Sequence, residues 1–224
     1  METQVDREKR AAAVASADAV RDGMVVGLGT GSTVAYLLPE LGRRHLDITC
    51  VATSPATAAA AEAVGLHVRA FDTIDGLDVA IDGADQVDPD RWLIKGGGGA
   101  HTRERIVAHA ADRFVVIVSS NKVVPVLAPP VPLELMRFGL HATLRALPDV
   151  QLRQAPPTPD GGVLADYLGP LGDPQDVADL LSSVPGVVSH GLFPPAMVST
   201  VLVGRGAEHG GPEVVEELPA GRRA

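Results

Sequence analysis

The sequence predicts an α/β fold: a mostly parallel sheet flanked by helices, with a smaller ferredoxin-like α+β unit. Three observations carry this. Short apolar runs alternate with Ala- and Leu-rich helical patterns through the first half of the chain, as in successive βαβ units. A Pro-dense stretch, VVPVLAPPVPLEL (123–135), then breaks the alternation. From VPLEL onward the pattern is β-α-β-β-α-β, the order of a split-βαβ unit.

Each element has its own signal. Residues 6–21 (DREKRAAAVASADAVR) are Ala-rich and free of Gly and Pro, a helix that Asp22-Gly23 ends. MVVGLG (24–29) is a short apolar run, a buried strand. Over 33–41, Thr33, Val34, Leu37, Leu38 and Leu41 fall on one helical face. ITCVAT (48–53) is β-rich, and the Ala-rich run 56–64 is helical up to Gly65. HVRAF (67–71) and DVAIDG (78–83) are strands, Thr102–Arg113 a helix and FVVIV (114–118) a strand. In the second unit VPLEL (131–135), VQLRQA (150–155), VLADYL (163–168) and VVSHGLF (187–193) are strands. Its helices are FGLHATLRAL (138–147) and Pro174–Val184. MVSTVLVG (197–204) is either the last strand of this unit or a return to the main sheet. The expected domains are 1–130, completed by 197–210, and 131–196, with a frayed polar tail over 205–224.

The composition narrows the function. At 224 residues the protein makes one large domain or one and a half. With 46% hydrophobic and 21% charged residues it is an ordinary globular protein, and with 3% aromatics its core rests on Ala, Val, Leu and Ile. A net charge of −9 argues against nucleic acid or an anionic membrane as partner. A small anionic substrate stays open wherever a few basic residues converge. The single cysteine, Cys50, allows no internal disulfide and no Cys-rich metal site, which fits a cytoplasmic location. No uncharged apolar run approaches the roughly 18 residues of a membrane span. METQVDREKR mixes acids with bases, unlike a signal peptide.

Three segments hold candidate chemistry. GLGTGST (27–33) follows a strand and opens a helix, where glycines let a ligand approach and the helix N-terminus favours an anion. A dinucleotide fingerprint would want Gly where Ser32 stands and an acid near Thr53 and Ser54. A Walker loop would want a lysine, and a methyl-donor loop an acid where Gly27 stands. The loop offers instead the hydroxyls of Thr30, Ser32 and Thr33 around Gly31. The residues alone leave open a phosphate site or a plain βα turn with Ser32 or Thr33 as N-cap. AIDGADQVD (80–88) places Asp82 and Asp85 past a strand. This is either ordinary Asp-Gly turn chemistry or a carboxylate pair for sugar hydroxyls and a proton. A metal reading with Asp88 lacks a nearby His and sits close to Lys95. LIKGGGGAHTRERIV (93–107) has four successive glycines, more than a spacer requires, between Lys95 and a helix with Glu104 in its first turn. His101 is an unplaced loop histidine. Lys9 and Lys122 could bring positive charge to a phosphate.

In this order, GLGTGST, DGAD, KGGGGAHTRE and a later Lys122 resemble the ribose-5-phosphate isomerases of type A, with VPLEL and VPGVVSHGLF extending the likeness over most of the sequence. The resemblance implies an α/β sheet domain with a small α+β domain. It implies interconversion of D-ribose 5-phosphate and D-ribulose 5-phosphate in the non-oxidative pentose phosphate pathway, with neither metal nor cofactor, in a homodimer or homotetramer. Carried over, Glu104 moves a proton between C2 and C1 through a cis-enediolate, and Asp82 assists ring opening and proton handling. Asp85 and Lys95 orient hydroxyls and stabilise the enediolate oxygen. Lys9, Thr30, Gly31, Ser32, Thr33 and Lys122 match phosphate-binding positions, and Gly83, Ala84, Gly96, Gly97 and Gly98 substrate-lining ones. Such chemistry needs a carboxylate base and an electrophilic lysine. The family pattern is broken at Ser119, where an acid is usual, in the loop Thr158–Gly162, and at His101 and Arg105. A non-catalytic sugar-phosphate sensor on the same scaffold is the alternative, as is, on the glycine loop alone, a nucleotide or methyl-donor enzyme.

Overall fold

Six buried residues in a row, Phe114–Ser119, form the middle of the large sheet, and their alternation feeds two cores at once. Val115 and Ile117 pack with Val26, Leu28 and Ile81 on one face, and Phe114, Val116 and Val118 with Val107 and Val201 on the other. A strand covered on both sides needs no polar residue, which is why this run is continuous.

The computed structural model describes residues 2–206 and 213–218. In sequence order the first half holds α1 (Gln4–Ser16), β1 (Val25–Leu28), α2 (Val34–Arg44), β2 (Thr49–Ala52), α3 (Pro55–Ala63) and β3 (His67–Val68). Then come β4 (Val79–Asp82), β5 (Gln86–Val87), β6 (Leu93–Ile94), α4 (His101–Ala110) and β7 (Phe114–Ser119). The second half holds β8 (Val131–Leu135), α5 (Leu140–Ala146), β9 (Val150–Leu152), β10 (Val163–Tyr167), α6 (Pro174–Ser183) and β11 (Val187–His190). It closes with β12 (Leu192–Phe193), β13 (Thr200–Arg205) and β14 (Val214–Glu217).

The large sheet has the order β14-β13-β7-β4-β1-β2-β3 and is parallel except for β14. A second, antiparallel sheet, β11-β8-β10-β9, carries α5 and α6 in the ferredoxin-like order expected. Among the described residues no helix is long and apolar enough to cross a membrane.

Several boundaries differ from the sequence reading, each for a local reason. α1 begins at Gln4 because Thr3 and Asp6 form a capping box, and it tightens into a 3-10 turn over Ala17–Ala19. α2 passes Leu41 and closes at His45, which takes a left-handed φ of 51°. α4 stops at Ala110 because Ala111 bridges Leu77 beside the sheet. Only His67–Val68 of HVRAF pairs, and Phe71–Thr73 forms a 3-10 turn. VVSHGLF divides at Gly191: β11 stays in the second sheet, and β12 joins β5 and β6 in a third, three-stranded sheet that the sequence reading lacks. MVSTVLVG returns to the main sheet as β13, beside β7. The expected tail is interrupted by β14, which pairs with Leu202–Arg205. Residues 207–212 and 219–224 of that tail lie outside the described residues.

The strand order locates the site. From β1 the backbone steps outward to β2 and β3, then crosses back to β4 and continues to β7 and β13. The reversal falls between β1 and β4, and parallel sheets take ligands outside the carboxyl ends of strands at such a reversal.

Candidate active site

β1 and β4 end side by side, and the residues after them interlock. The Asp82 side chain, last on β4, lies across Gly29, where a Cβ would come 1.9 Å from the carboxyl carbon. Only glycine lets the two strand ends close. Asp82 Oδ1 accepts from the amides of Gly83 (2.7 Å) and Thr30 (3.2 Å), which aims Oδ2 at the Lys95 ammonium, 2.9 Å away. Lys95 follows β6, and its amide donates to the Gly191 carbonyl at 2.9 Å. Its ammonium also donates to the Gly83 carbonyl and lies 5.6 Å from the centre of the Phe193 ring. The little β5-β6-β12 sheet thus holds the lysine from beneath. From the first turn of α4, Glu104 brings Oε2 to 3.2 Å from the same ammonium, a charge contact without hydrogen-bond alignment. Asp82, Lys95 and Glu104 are 3%, 2% and 5% exposed, so one cation is shared by two carboxylates in a dry setting.

The electrostatics follow from that count. Burial, then repulsion from Asp82, raises the Glu104 pKa to about 8 against the pull of Lys95. Burial also raises Asp82, despite Lys95 and the two amide donors. For Lys95, burial favours losing the proton, but attraction to Asp82 and Glu104 outweighs it and its pKa is raised. The cluster therefore keeps its ammonium, and its surplus negative charge shows as proton affinity on Glu104.

Over this cluster opens a cavity of about 220 Å³. The predicted residues converge on it: Lys9 on α1, Thr30–Thr33 before α2, Gly83–Asp85 after β4, Lys95–Gly98, Glu104 on α4 and Lys122 after β7. Asp82 is the exception. It lies behind the wall, reaching the cavity through Lys95. Asp85 is half-committed to the protein, since its Oδ2 accepts from the Gly97 amide at 2.7 Å and fastens the glycine loop. Gly96 takes a φ of 101° over His101, where a Cβ would meet the ring at 2.6 Å. Thr30 shares its hydroxyl with Thr53 at 2.8 Å, whereas Thr33, at the start of α2, makes no side-chain cap.

The other expectations sort clearly. His101 is fully buried, outside the cavity wall, and burial lowers its pKa to about 4, so it is a neutral packing residue under the loop. Asp88 turns away to accept from the Trp92 amide at 2.8 Å, and the described residues contain no cluster of three or more metal-ligating side chains. A wider groove of about 990 Å³ beside Phe71, Ile106 and Met136 contains none of the candidates.

Arg153, just past β9, is a residue the sequence reading missed. Paired twice with Asp166, at 2.6 and 2.8 Å, it donates to the carbonyls of Gly96 (3.0 Å) and Gly97 (3.2 Å). It ties the second sheet to the loop that carries Lys95. Its partners on the glycine loop are main-chain carbonyls, so no side-chain pattern announces that contact.

Residues 49–208 match the family model of ribose 5-phosphate isomerase A (phosphoriboisomerase A). The chain belongs to this family. It is an isomerase of ribose 5-phosphate. Ribose-5-phosphate isomerase A of Rhodopseudomonas palustris (strain HaA2) is 44% identical over 216 residues, 88% of this chain and 93% of that one. The crystal structure of ribose 5-phosphate isomerase A from Neisseria gonorrhoeae superimposes with a TM-score of 0.88 at 31% identity, covering 98% of this protein and 99% of that one. A D-ribose-5-phosphate isomerase solved in complex with phospho-erythronic acid gives 0.85 at 34% identity, covering 94% and 96%.

Proposed function

We propose that the cavity binds the acyclic form of D-ribose 5-phosphate and converts it to D-ribulose 5-phosphate through a cis-enediolate. The Glu104 carboxylate takes the proton from C2. The C–H electron pair becomes the C1–C2 double bond, and negative charge develops on the C1 oxygen beside the Lys95 ammonium. A proton passes from the C2 oxygen to the C1 oxygen, and Glu104 returns its proton to C1. C2 is thereby oxidised and C1 reduced, with no external electron donor. Asp82 keeps Lys95 charged and aimed, and Asp85, with the glycine loop, faces the sugar hydroxyls. The reading rests on one observation: a buried lysine set between two carboxylates at the floor of a cavity walled by glycines, hydroxyls and two further lysines. A preorganised cation where an oxyanion develops lowers the barrier because it needs no reorganisation during the reaction. The phospho-erythronic acid held by the related isomerase combines a phosphate with a planar carboxylate whose charge lies on oxygen, as the charge of an enediolate does.

The phosphate falls to Gly31–Thr33 at the start of α2, flanked by Lys9 and Lys122. Lys122→Ala raises KM about tenfold or more, the scale of one charge-assisted contact, and lowers kcat much less. Steady-state kinetics check this, and an unchanged KM removes Lys122 from the phosphate site. The raised Glu104 pKa sets the pH profile. The base must be unprotonated, so kcat/KM climbs as pH rises, with its acid limb far above the usual carboxylate range. A limb near pH 4.5, the ordinary value for Glu, contradicts a buried base.

The proposal places the reaction in the non-oxidative pentose phosphate pathway, in the cytoplasm, in a homodimer or homotetramer. Phe138, 89% exposed, and the half-exposed Ile106, Met136 and Val188 support an assembly that covers them.

A further inference from the structure

Glu8 is a buried carboxylate that the reaction does not use, and it joins the two elements that bring Lys9 and Lys122 to the cavity. It sits on α1, one residue before Lys9, and is 1% exposed. At this point α1 is pressed against β13: a Cβ on Gly204 would lie 1.9 Å from the Glu8 carbonyl oxygen. The carboxylate is fully engaged. Oε2 accepts from the amide (3.0 Å) and hydroxyl (2.7 Å) of Ser120, and Oε1 from the Gly206 amide (2.8 Å) and Gln4 Nε2 (3.1 Å). Ser120 opens the 3-10 turn Ser120–Lys122 that delivers Lys122 to the cavity. The turn, Ser119-Ser120-Asn121-Lys122, has no acid of its own, and Ser119 only donates to Asn121 Oδ1 at 2.6 Å. Among the described residues, its anionic anchor comes from the helix that bears Lys9.

We propose that Glu8 is a positioning residue that fixes Lys122 relative to Lys9 and so sets the affinity for the substrate's phosphate. The inference rests on assigning those lysines to the phosphate. A buried carboxylate with two donors from one turn holds that turn more firmly than neutral hydrogen bonds would, because charge-assisted bonds are about twice as strong. Glu8 itself does not line the cavity.

The test is Glu8→Gln, which keeps the size but puts an NH2 where one oxygen accepted from an amide donor. The expected result is a rise of roughly tenfold in both the KM for ribose 5-phosphate and the inhibition constant of inorganic phosphate, with kcat within about twofold. Ser120→Ala removes only the hydroxyl bond and moves both constants the same way by less. It decides the matter if Glu8→Gln does not fold. Unchanged KM and phosphate inhibition in these variants overturn the proposal. So does a loss of kcat and melting temperature with phosphate inhibition intact, which marks a purely structural anchor. Lys122→Ala separates the premises. If that variant raises the phosphate inhibition constant and Glu8→Gln does not, only the positioning role fails. If Lys122→Ala leaves it unchanged, the phosphate assignment fails, and the Glu8 proposal with it.

Discussion

Replacing Glu104 with Gln lowers kcat by about 10²–10⁴-fold, the usual worth of a positioned general base, and leaves KM within a few-fold. The amide keeps the shape of the side chain in the first turn of α4 but cannot take a proton from C2. The phosphate contacts proposed above lie on other elements, at the start of α2, on α1 and after β7, so binding persists. The variant should also fold well. Its oxygen remains close to Lys95, and the cluster goes from two carboxylates on one ammonium to a balanced pair of Asp82 and Lys95. Stopped-flow or coupled-assay kinetics give kcat and KM, and thermal melting checks the fold. A fully active Glu104→Gln enzyme removes the base from the scheme.

Lys95→Met has a double effect, because in the proposed mechanism the ammonium serves the reaction as well as the fold. Without it Asp82 and Glu104 are left 3% and 5% exposed with no counter-charge. Removing one partner of a buried ion pair costs about 3–5 kcal/mol, since the other charge stays desolvated. The protein relieves this by protonating a carboxylate, so the Glu104 pKa moves up from about 8 and the already small ionised fraction of the base at neutral pH falls further. Loss of the cation beside the developing oxyanion lowers kcat by about 10²–10³-fold on its own. Urea denaturation measures the first effect and kcat/KM against pH the second, with the acid limb displaced upward. Adding Asp82→Asn restores stability by removing the stranded charge and does not restore activity. A Lys95→Met enzyme with wild-type stability and turnover contradicts the cluster's role on both counts.

Much of this site could be read from the sequence because its chemistry stands at strand ends. The hydroxyl loop after Leu28, Asp82 at the end of β4 and Glu104 in a first helical turn all obey the rule that parallel sheets act at their carboxyl edge. The four-glycine run marks out Lys95 in the sequence, and the reason for it is visible in Gly96, packed on His101 with positive φ, and Gly97, packed on Asp85. The parts that stayed hidden depend on long-range main-chain partners or on very short elements. β5, β6 and β12 have two residues each, too few for any periodicity, yet they seat Lys95. Arg153 and Glu8 act on carbonyls, amides and one hydroxyl far off in sequence. Asp82, a catalytic candidate in the sequence, is packed across Gly29 behind the cavity wall and in contact with Lys95, a placement that no sequence pattern specifies.

Turnover of ribose 5-phosphate in heavy water tests the central claim most directly, since a carboxylate that carries the proton between C2 and C1 exchanges it with solvent while protonated. Nuclear magnetic resonance of the sugars should show deuterium entering C1 of ribulose 5-phosphate and, as the reaction reverses, C2 of ribose 5-phosphate. Complete transfer of the original C2 hydrogen to C1, with no solvent deuterium after many turnovers, would mean that hydrogen moves as hydride and that Glu104 is not the base.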